Sequence, residues 1–195
     1  MRALRVLTLA AAFLVTALPA SASVFENLHV GVEAGTTFPA DPNQYSSNWD
    51  ASRGFGALLV YDLSPRSALV LRYEQDQHEF NGQAYSTFGA DQVIGSDATF
   101  NGVWVGVRRH HEEGLLRAHV ALYLGGVYRD GRQATLIYPT RTETHGEADR
   151  WLSAYGIGAG LTLSLEHLPD VFVEARMLWM EPEQQVPIRA GLVYP

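Results

Sequence analysis

Two groups of residues in this 195-residue chain are of the types that carry chemistry. The first is the run His110-His111-Glu112-Glu113, whose imidazole and carboxylate groups are common ligands for Zn²⁺. Consecutive residues where a strand enters a turn point in different directions, and no second pair of such ligands is evident from the sequence. We therefore interpret this run as a solvated turn, and we predict neither a metal site nor a cofactor.

The second group consists of charged residues at alternate positions within apolar stretches. Alternate positions lie on one face of a β-strand. An unpaired charge in a nearly dry interior is strongly unfavourable, so we expect arginines to pair with carboxylates there. We interpret the group as a plug of salt bridges, and a gate or a proton-linked site is the functional alternative. Its members are Glu33, Arg72, Glu74, Arg117, His119, Glu174, Arg176 and Arg189.

Long segments with a period of two would position these residues. The clearest is 151–165, WLSAYGIGAGLTLSL, in which one face is bulky from Trp151 to Leu165 and the other is mostly small. At 15 residues it is much longer than the ordinary strand of about five or six residues. Seven more segments show the same alternation, so we predict eight strands; the others are 28–38, 54–63, 67–80, 98–109, 115–129, 171–180 and 186–194.

The connections between these strands alternate between long and short. The long ones, at 39–53, 81–97 and 130–149, are polar, whereas the others are hairpin-sized. An up-and-down barrel with short turns at one end and long loops at the other produces this alternation. The last connection, 181–185, is short although it lies at the long-loop end.

The size of the two faces decides which of them meets water. A soluble, lipocalin-like barrel would have its apolar face inside, and a membrane barrel would have it outside. The interior of an eight-stranded barrel is just wide enough for side chains to fill, and a face that carries Trp151, Tyr155 and Trp179 would overfill it. The sequence therefore predicts an all-β, eight-stranded antiparallel up-and-down transmembrane β-barrel. Aromatic girdles are expected from Phe38, Phe55, Tyr128, Trp151 and Trp179 at the loop ends and from Tyr61 and Tyr194 at the turn ends.

The N-terminus and the composition indicate where the chain resides. Arg2 and Arg5 precede an apolar run that ends at Ala20-Ser21-Ala22, so we predict a cleaved signal peptide at 1–22 and a barrel domain at 23–195. The chain has no cysteine and no lysine, and the mature part would carry 12 arginines against 21 acidic residues. This acidic balance argues against nucleic-acid binding. No later segment has the 18 or so consecutive apolar residues of a transmembrane helix.

Architecturally, the chain resembles the small eight-stranded outer-membrane barrels of Gram-negative bacteria, of the OmpA/OmpX type. The resemblance is most specific at the C-terminus, where such barrels carry an assembly signal of polar, any, glycine, hydrophobic, any and aromatic residues. Arg189, Gly191, Leu192 and Tyr194 occupy the defined positions, and Pro195 departs from the usual aromatic terminus. The resemblance implies outer-membrane localisation, contact with outer-membrane lipids and recognition by the barrel-assembly machinery.

Three functions follow from this resemblance. We favour a non-enzymatic surface or envelope protein with a side-chain-filled lumen and exposed loops, whose loop partner is not defined by the sequence. The first alternative is a narrow conduit for a small, possibly apolar molecule. The second alternative is a lipid A-modifying enzyme, since some eight-stranded relatives are such enzymes. Ser153 lies on the outward face, but no histidine falls on a neighbouring outward face at the same height, so we predict no catalytic residues.

Overall fold

The structure is a computed structural model that describes residues 26–40, 50–82, 88–111, 114–131, 133–146, 149–165, 168–180 and 183–194. The predicted signal peptide at 1–22 lies outside these residues, as do Glu112, Glu113 and Pro195. The described residues form eleven strands: β1 (Leu28–Pro39), β2 (Ser52–Ser64), β3 (Ser67–His78), β4 (Gln92–Gly95), β5 (Ala98–His110), β6 (Leu116–Asp130), β7 (Gln133–Ile137), β8 (Thr142–Gly146), β9 (Arg150–Leu163), β10 (Asp170–Met180) and β11 (Glu183–Tyr194).

Eight of the strands form one closed antiparallel barrel. Their order around the barrel is β1, β11, β10, β9, β6, β5, β3, β2, so each strand pairs with the barrel strands next to it in the chain. The first and last strands close the barrel over a register that runs from Val30 opposite Tyr194 to Pro39 opposite Gln185. The eight-stranded up-and-down barrel predicted from the sequence is confirmed.

The other three strands form a small sheet in the order β4, β7, β8, built from the two loops that follow β3 and β6. Ala134 and Leu136 of β7 are buried, and Phe80, Val93 and Tyr138 pack against them. The sequence does not predict these three strands, because segments of four or five residues give too short an alternation to stand out in a polar loop.

The barrel is apolar on the outside and polar on the inside. Leu122 and Leu124 are 66% and 70% exposed, whereas Arg72 and Glu174 are fully buried. The alternation persists along whole strands, as in β9, where Trp151, Tyr155 and Ile157 face outward. A surface of this kind is suited to hydrocarbon rather than to water. Within the described part of the chain, no helix has the length and hydrophobicity needed to cross a membrane.

Glycines on neighbouring strands make room for the large inward side chains. Gly54 lies opposite Asp76, and a Cβ atom at Gly54 would approach the Asp76 carboxylate to 2.2 Å. Gly106 lies opposite Tyr123, and a Cβ atom there would lie 2.3 Å from the Tyr123 ring. At these two positions the inward face is small because a long side chain of the neighbouring strand occupies the space beside the glycine.

Candidate functional site

Glu174 of β10 is the centre of the charge network inside the barrel. Its carboxylate accepts hydrogen bonds from Arg72 Nη1 at 2.8 Å, from Tyr123 Oη at 3.0 Å and from Arg108 Nη2 at 3.3 Å. His119 Nε2 lies 3.0 Å from the same carboxylate. These residues come from β3, β5, β6 and β10, so one carboxylate links strands across the width of the lumen.

A second part of the network lies beside the first and joins β3 to β10 and β11. Arg176 donates to both carboxylate oxygens of Glu74, at 2.6 and 3.2 Å, which is the bidentate geometry that arginine favours. Arg189 donates to Asp76 at 2.6 Å and to the Thr37 hydroxyl at 2.8 Å. All five side chains are buried.

Glu33 and Tyr123 connect the two parts. Glu33 Oε2 lies 3.4 Å from Arg72 Nη2, and its other oxygen lies 4.0 Å from Arg176 Nη2. The guanidinium carbons of Arg72 and Arg176 lie 5.0 and 5.7 Å from the centre of the Tyr123 ring, within the range of cation–π attraction. The result is one continuous layer of charged and aromatic groups.

The charges of this layer balance. Four arginines (Arg72, Arg108, Arg176 and Arg189) meet four carboxylates (Glu33, Glu74, Asp76 and Glu174). Each charge would be costly to bury alone, and the balanced set offsets that cost through hydrogen bonds to Glu74, Asp76 and Glu174 and through ion pairs to Glu33. Such a layer fills the bore with fixed side chains and ties distant strands together.

Seven of the eight residues in the predicted network lie within this layer, and Arg117 lies apart from it. Arg117 is the second residue of β6, so it lies near a short turn rather than at the height of Glu174. There its Nη2 atom donates to Asp170 at 2.8 Å and to the Ser164 hydroxyl at 2.5 Å. Its side chain is 22% exposed, which makes this a partly solvated pair.

The layer also contains three residues that the predicted set omitted: Asp76, Arg108 and Tyr123. All three lie on the inward face of their strands, so the alternation itself could have identified them. Which charges they pair with depends on the register of the closed barrel, which places Asp76 beside Arg189 and Arg108 beside Glu174.

The seven residues of the predicted aromatic girdles all lie on the outward face. Phe38, Phe55, Trp151 and Tyr194 are between 44% and 59% exposed. Tyr128 contacts Trp151 with ring centres 5.5 Å apart, and Trp179 stacks on Tyr155 at 5.4 Å. Tyr61 is partly exposed near the turn end of β2, opposite Leu28. Their role as interfacial anchors remains a prediction.

The four residues of the predicted assembly signal lie on β11, the strand that closes the barrel. Leu192 and Tyr194 face outward, and Arg189 faces the lumen. Gly191 is the position where a Cβ atom would lie 2.4 Å from the Val32 carbonyl oxygen and 2.6 Å from the Phe172 ring. A glycine at this position of the signal therefore has a packing reason in this barrel, independent of any recognition.

A cavity of about 290 Å³ opens at the end of the barrel that carries the short turns. Arg108, Arg117 and His110 line it together with Asp62 and Asp170, so both signs of charge face it. Within the described residues, no three histidine, aspartate or glutamate side chains are placed to bind one metal ion.

Comparison with known proteins identifies the fold. No family model and no curated protein matches the chain. Among solved structures, the barrel is similar to neisserial surface protein A (NspA), with a TM-score of 0.55 and 8% identity over 86% of this chain and 96% of that one. It is also similar to the N-terminal barrel domain of Pseudomonas aeruginosa OprF, with a TM-score of 0.49 and 15% identity over 85% and 97% of the two chains. For Ail, the attachment invasion locus protein of Yersinia pestis, the TM-score is 0.49 and the identity 13%, over 86% and 96%.

The NspA comparison, the closed strand order and the apolar outer surface define the class. The chain has the fold of the small eight-stranded transmembrane β-barrels. At these identities the likeness extends to the fold alone.

Proposed function

We propose that the protein is an integral outer-membrane barrel with a closed lumen, whose rigid scaffold displays its long loops at the cell surface. The short turns would face the periplasm and the loops the outside. The role in the envelope would be non-enzymatic, through contacts that the loops make. The small β4–β7–β8 sheet would be part of that displayed surface.

The observation that carries this proposal is the balanced layer of buried charges within an apolar outer surface. A membrane barrel needs hydrocarbon-facing side chains outside, and Leu122 and Leu124 are of that kind. A conduit needs an open bore, and Arg72, Tyr123 and Glu174 instead occupy the middle of the lumen. The layer therefore favours a display scaffold over transport.

The arrangement around Ser153 argues against a lipid-modifying hydrolase. Such a mechanism requires a histidine within hydrogen-bond reach of the serine. Ser153 faces outward near the loop end of β9, opposite Gly126 of β6. Among the described residues of β6 and β10, the two strands that flank β9, the one histidine is His119, and it points into the lumen. We propose that Ser153 is an ordinary surface residue.

Planar-bilayer recording of the purified mature protein tests the closed lumen. We expect no steady conductance above background. Steady channels in the wild-type protein would contradict the proposal and favour the conduit. A heat-dependent shift on a detergent gel would establish that the recorded protein is folded, and protease treatment of whole cells would test whether the loops face outward.

Mass spectrometry of lipid A tests the non-enzymatic role. Cells that express the wild-type protein and cells that express Ser153→Ala should show the same acylation pattern as cells without the gene. A change that depends on Ser153 would contradict the proposal.

A further inference from the structure

The outward face of the barrel carries a depression. A groove of about 830 Å³ crosses β5, β6, β9 and β10 and is lined almost entirely by apolar side chains. Ala159 and Ala175 lie in it, and along their strands both are flanked by larger outward residues such as Ile157 and Met177. The small side chains produce a trough in a surface that is otherwise covered by bulky groups.

Strand register shows that the trough is a continuous row ending at a cation. Ala175 lies opposite Ala159, Ala159 opposite Val120, and Val120 opposite Arg109. Arg109 also lines the groove, and it faces outward on an exposed position next to the last residue of β5. An apolar trough therefore begins at a guanidinium group at the short-turn end.

The row rises from the short-turn end toward the middle of the barrel. Arg109 is the second-last residue of β5 at that end, whereas Ala175 is the sixth residue of β10 from it. Three steps between neighbouring strands, each about 4.8 Å, give a length of about 14 Å. Because the strands of such a barrel tilt by about 40° from its axis, the row rises only about 9 Å, roughly a third of the apolar band, which is about 25 Å tall.

The charge at the edge identifies the chemistry of the occupant. The turn between β2 and β3 lies beside Arg109, since Ser67 pairs with it and the Arg66 carbonyl accepts a hydrogen bond from the neighbouring His110 amide at 2.8 Å. Two arginines thus belong to this part of the barrel edge. A molecule with one anionic head and an apolar chain, the first part of which can lie in the trough, matches both features.

We propose that this groove binds one acyl chain of an anionic phospholipid of the periplasmic leaflet, with Arg109 contacting its phosphate. The inference rests on the proposed membrane orientation, in which the short turns face the periplasm. The Arg109 contact would lie at the membrane interface, and Ala159 and Ala175 would admit the chain against the strands.

Native mass spectrometry of the refolded mature protein in detergent micelles tests this site. The probes are phosphatidylglycerol and phosphatidylcholine with identical acyl chains. We expect one retained phosphatidylglycerol, and we expect Arg109→Gln to weaken its retention about fivefold, the effect of one interfacial cation. The double variant Ala159→Leu/Ala175→Leu should weaken retention of both lipids by filling the trough.

Two control variants make the same chemical changes elsewhere on the outward face. Arg53→Gln removes an exposed arginine near the loop end of β2, and Ala34→Leu enlarges an exposed alanine on β1. Both should retain the lipid as the wild-type protein does. A gel shift on heating checks that each variant is folded.

Three results would overturn the proposal. One is equal retention of the two lipids by the wild-type protein, and another is an unchanged preference in Arg109→Gln. The third is a wild-type dimer that the filled-groove variant abolishes, since the groove would then bind a second copy of the chain. In each of these cases, a normal gel shift would leave the outer-membrane assignment intact. A protein that never inserts into a membrane would overturn both the outer-membrane assignment and the proposed lipid site.

Discussion

Glu174→Gln removes the charge at the centre of the lumen while keeping the shape of the side chain. The carboxylate is fully buried and faces Arg72 at 2.8 Å, Tyr123 at 3.0 Å and Arg108 at 3.3 Å. The neutral amide would leave four buried arginines with three carboxylates. Loss of one partner from a buried pair typically costs about 3–5 kcal/mol, because the remaining charge stays buried without compensation.

Equilibrium unfolding in urea measures this cost, with the refolded protein in lipid vesicles and the folded fraction followed by the heat-dependent gel shift. We expect Glu174→Gln to lower the free energy of unfolding by about 3–5 kcal/mol. Asp170→Asn is the matched control, because it breaks an arginine–carboxylate contact of the same length, 2.8 Å, at a partly exposed site. It should cost no more than about 1 kcal/mol.

A double variant separates loss of charge balance from loss of packing. Arg108→Met combined with Glu174→Gln restores three arginines against three carboxylates. We expect the double variant to be less destabilised than the sum of the two single variants by at least about 1 kcal/mol. A cost below about 1 kcal/mol for Glu174→Gln, or strict additivity in the double variant, would refute the reasoning.

Three further perturbations test the packing of the barrel, its surroundings and its loops. Gly106→Ala should destabilise the barrel by about 1–3 kcal/mol in urea unfolding, because its Cβ atom would lie 2.3 Å from the Tyr123 ring. The control Gly126→Ala should be close to neutral, because the nearest atom to its Cβ would be 3.6 Å away. Leu124→Arg should cost about 2–4 kcal/mol in lipid vesicles if this 70%-exposed side chain faces hydrocarbon, and an unchanged unfolding midpoint would contradict that orientation. Leu136→Ala removes a fully buried side chain from the β4–β7–β8 sheet, so limited proteolysis should cleave that sheet faster while the unfolding midpoint stays within experimental error.

The barrel was predictable from the sequence because one physical signal repeats along every strand. A period of two over ten or more residues specifies both the strand and the side that each residue faces. The segment predicted at 171–180 is Asp170–Met180 in the structure, and that at 98–109 is Ala98–His110. Side-chain size also predicts correctly which face is turned inward, since Trp151 faces outward and Arg72 is buried.

The pairing within the lumen was less predictable, because it depends on the stagger between strands. Asp76 reaches Arg189 along a row that runs through Gly54 and Gly35, although the two residues lie at different distances from their strand ends. Arg117 has the correct face but the wrong height. Alternation gives the face of a residue, and only the register of the closed barrel gives its level.

The central claim is that the apolar face of the barrel lies in lipid, and spin labelling tests it most directly. The chain contains no cysteine, so a single label can be placed on β6 at Val120, Ala121, Leu122 or Leu124 without background. In lipid vesicles, we predict that labels at the three exposed positions will be more accessible to dissolved oxygen than to a water-soluble nickel chelate. The label at the buried position 121 should be poorly accessible to both reagents. Preferential access of the nickel chelate to positions 120, 122 and 124 would contradict the account.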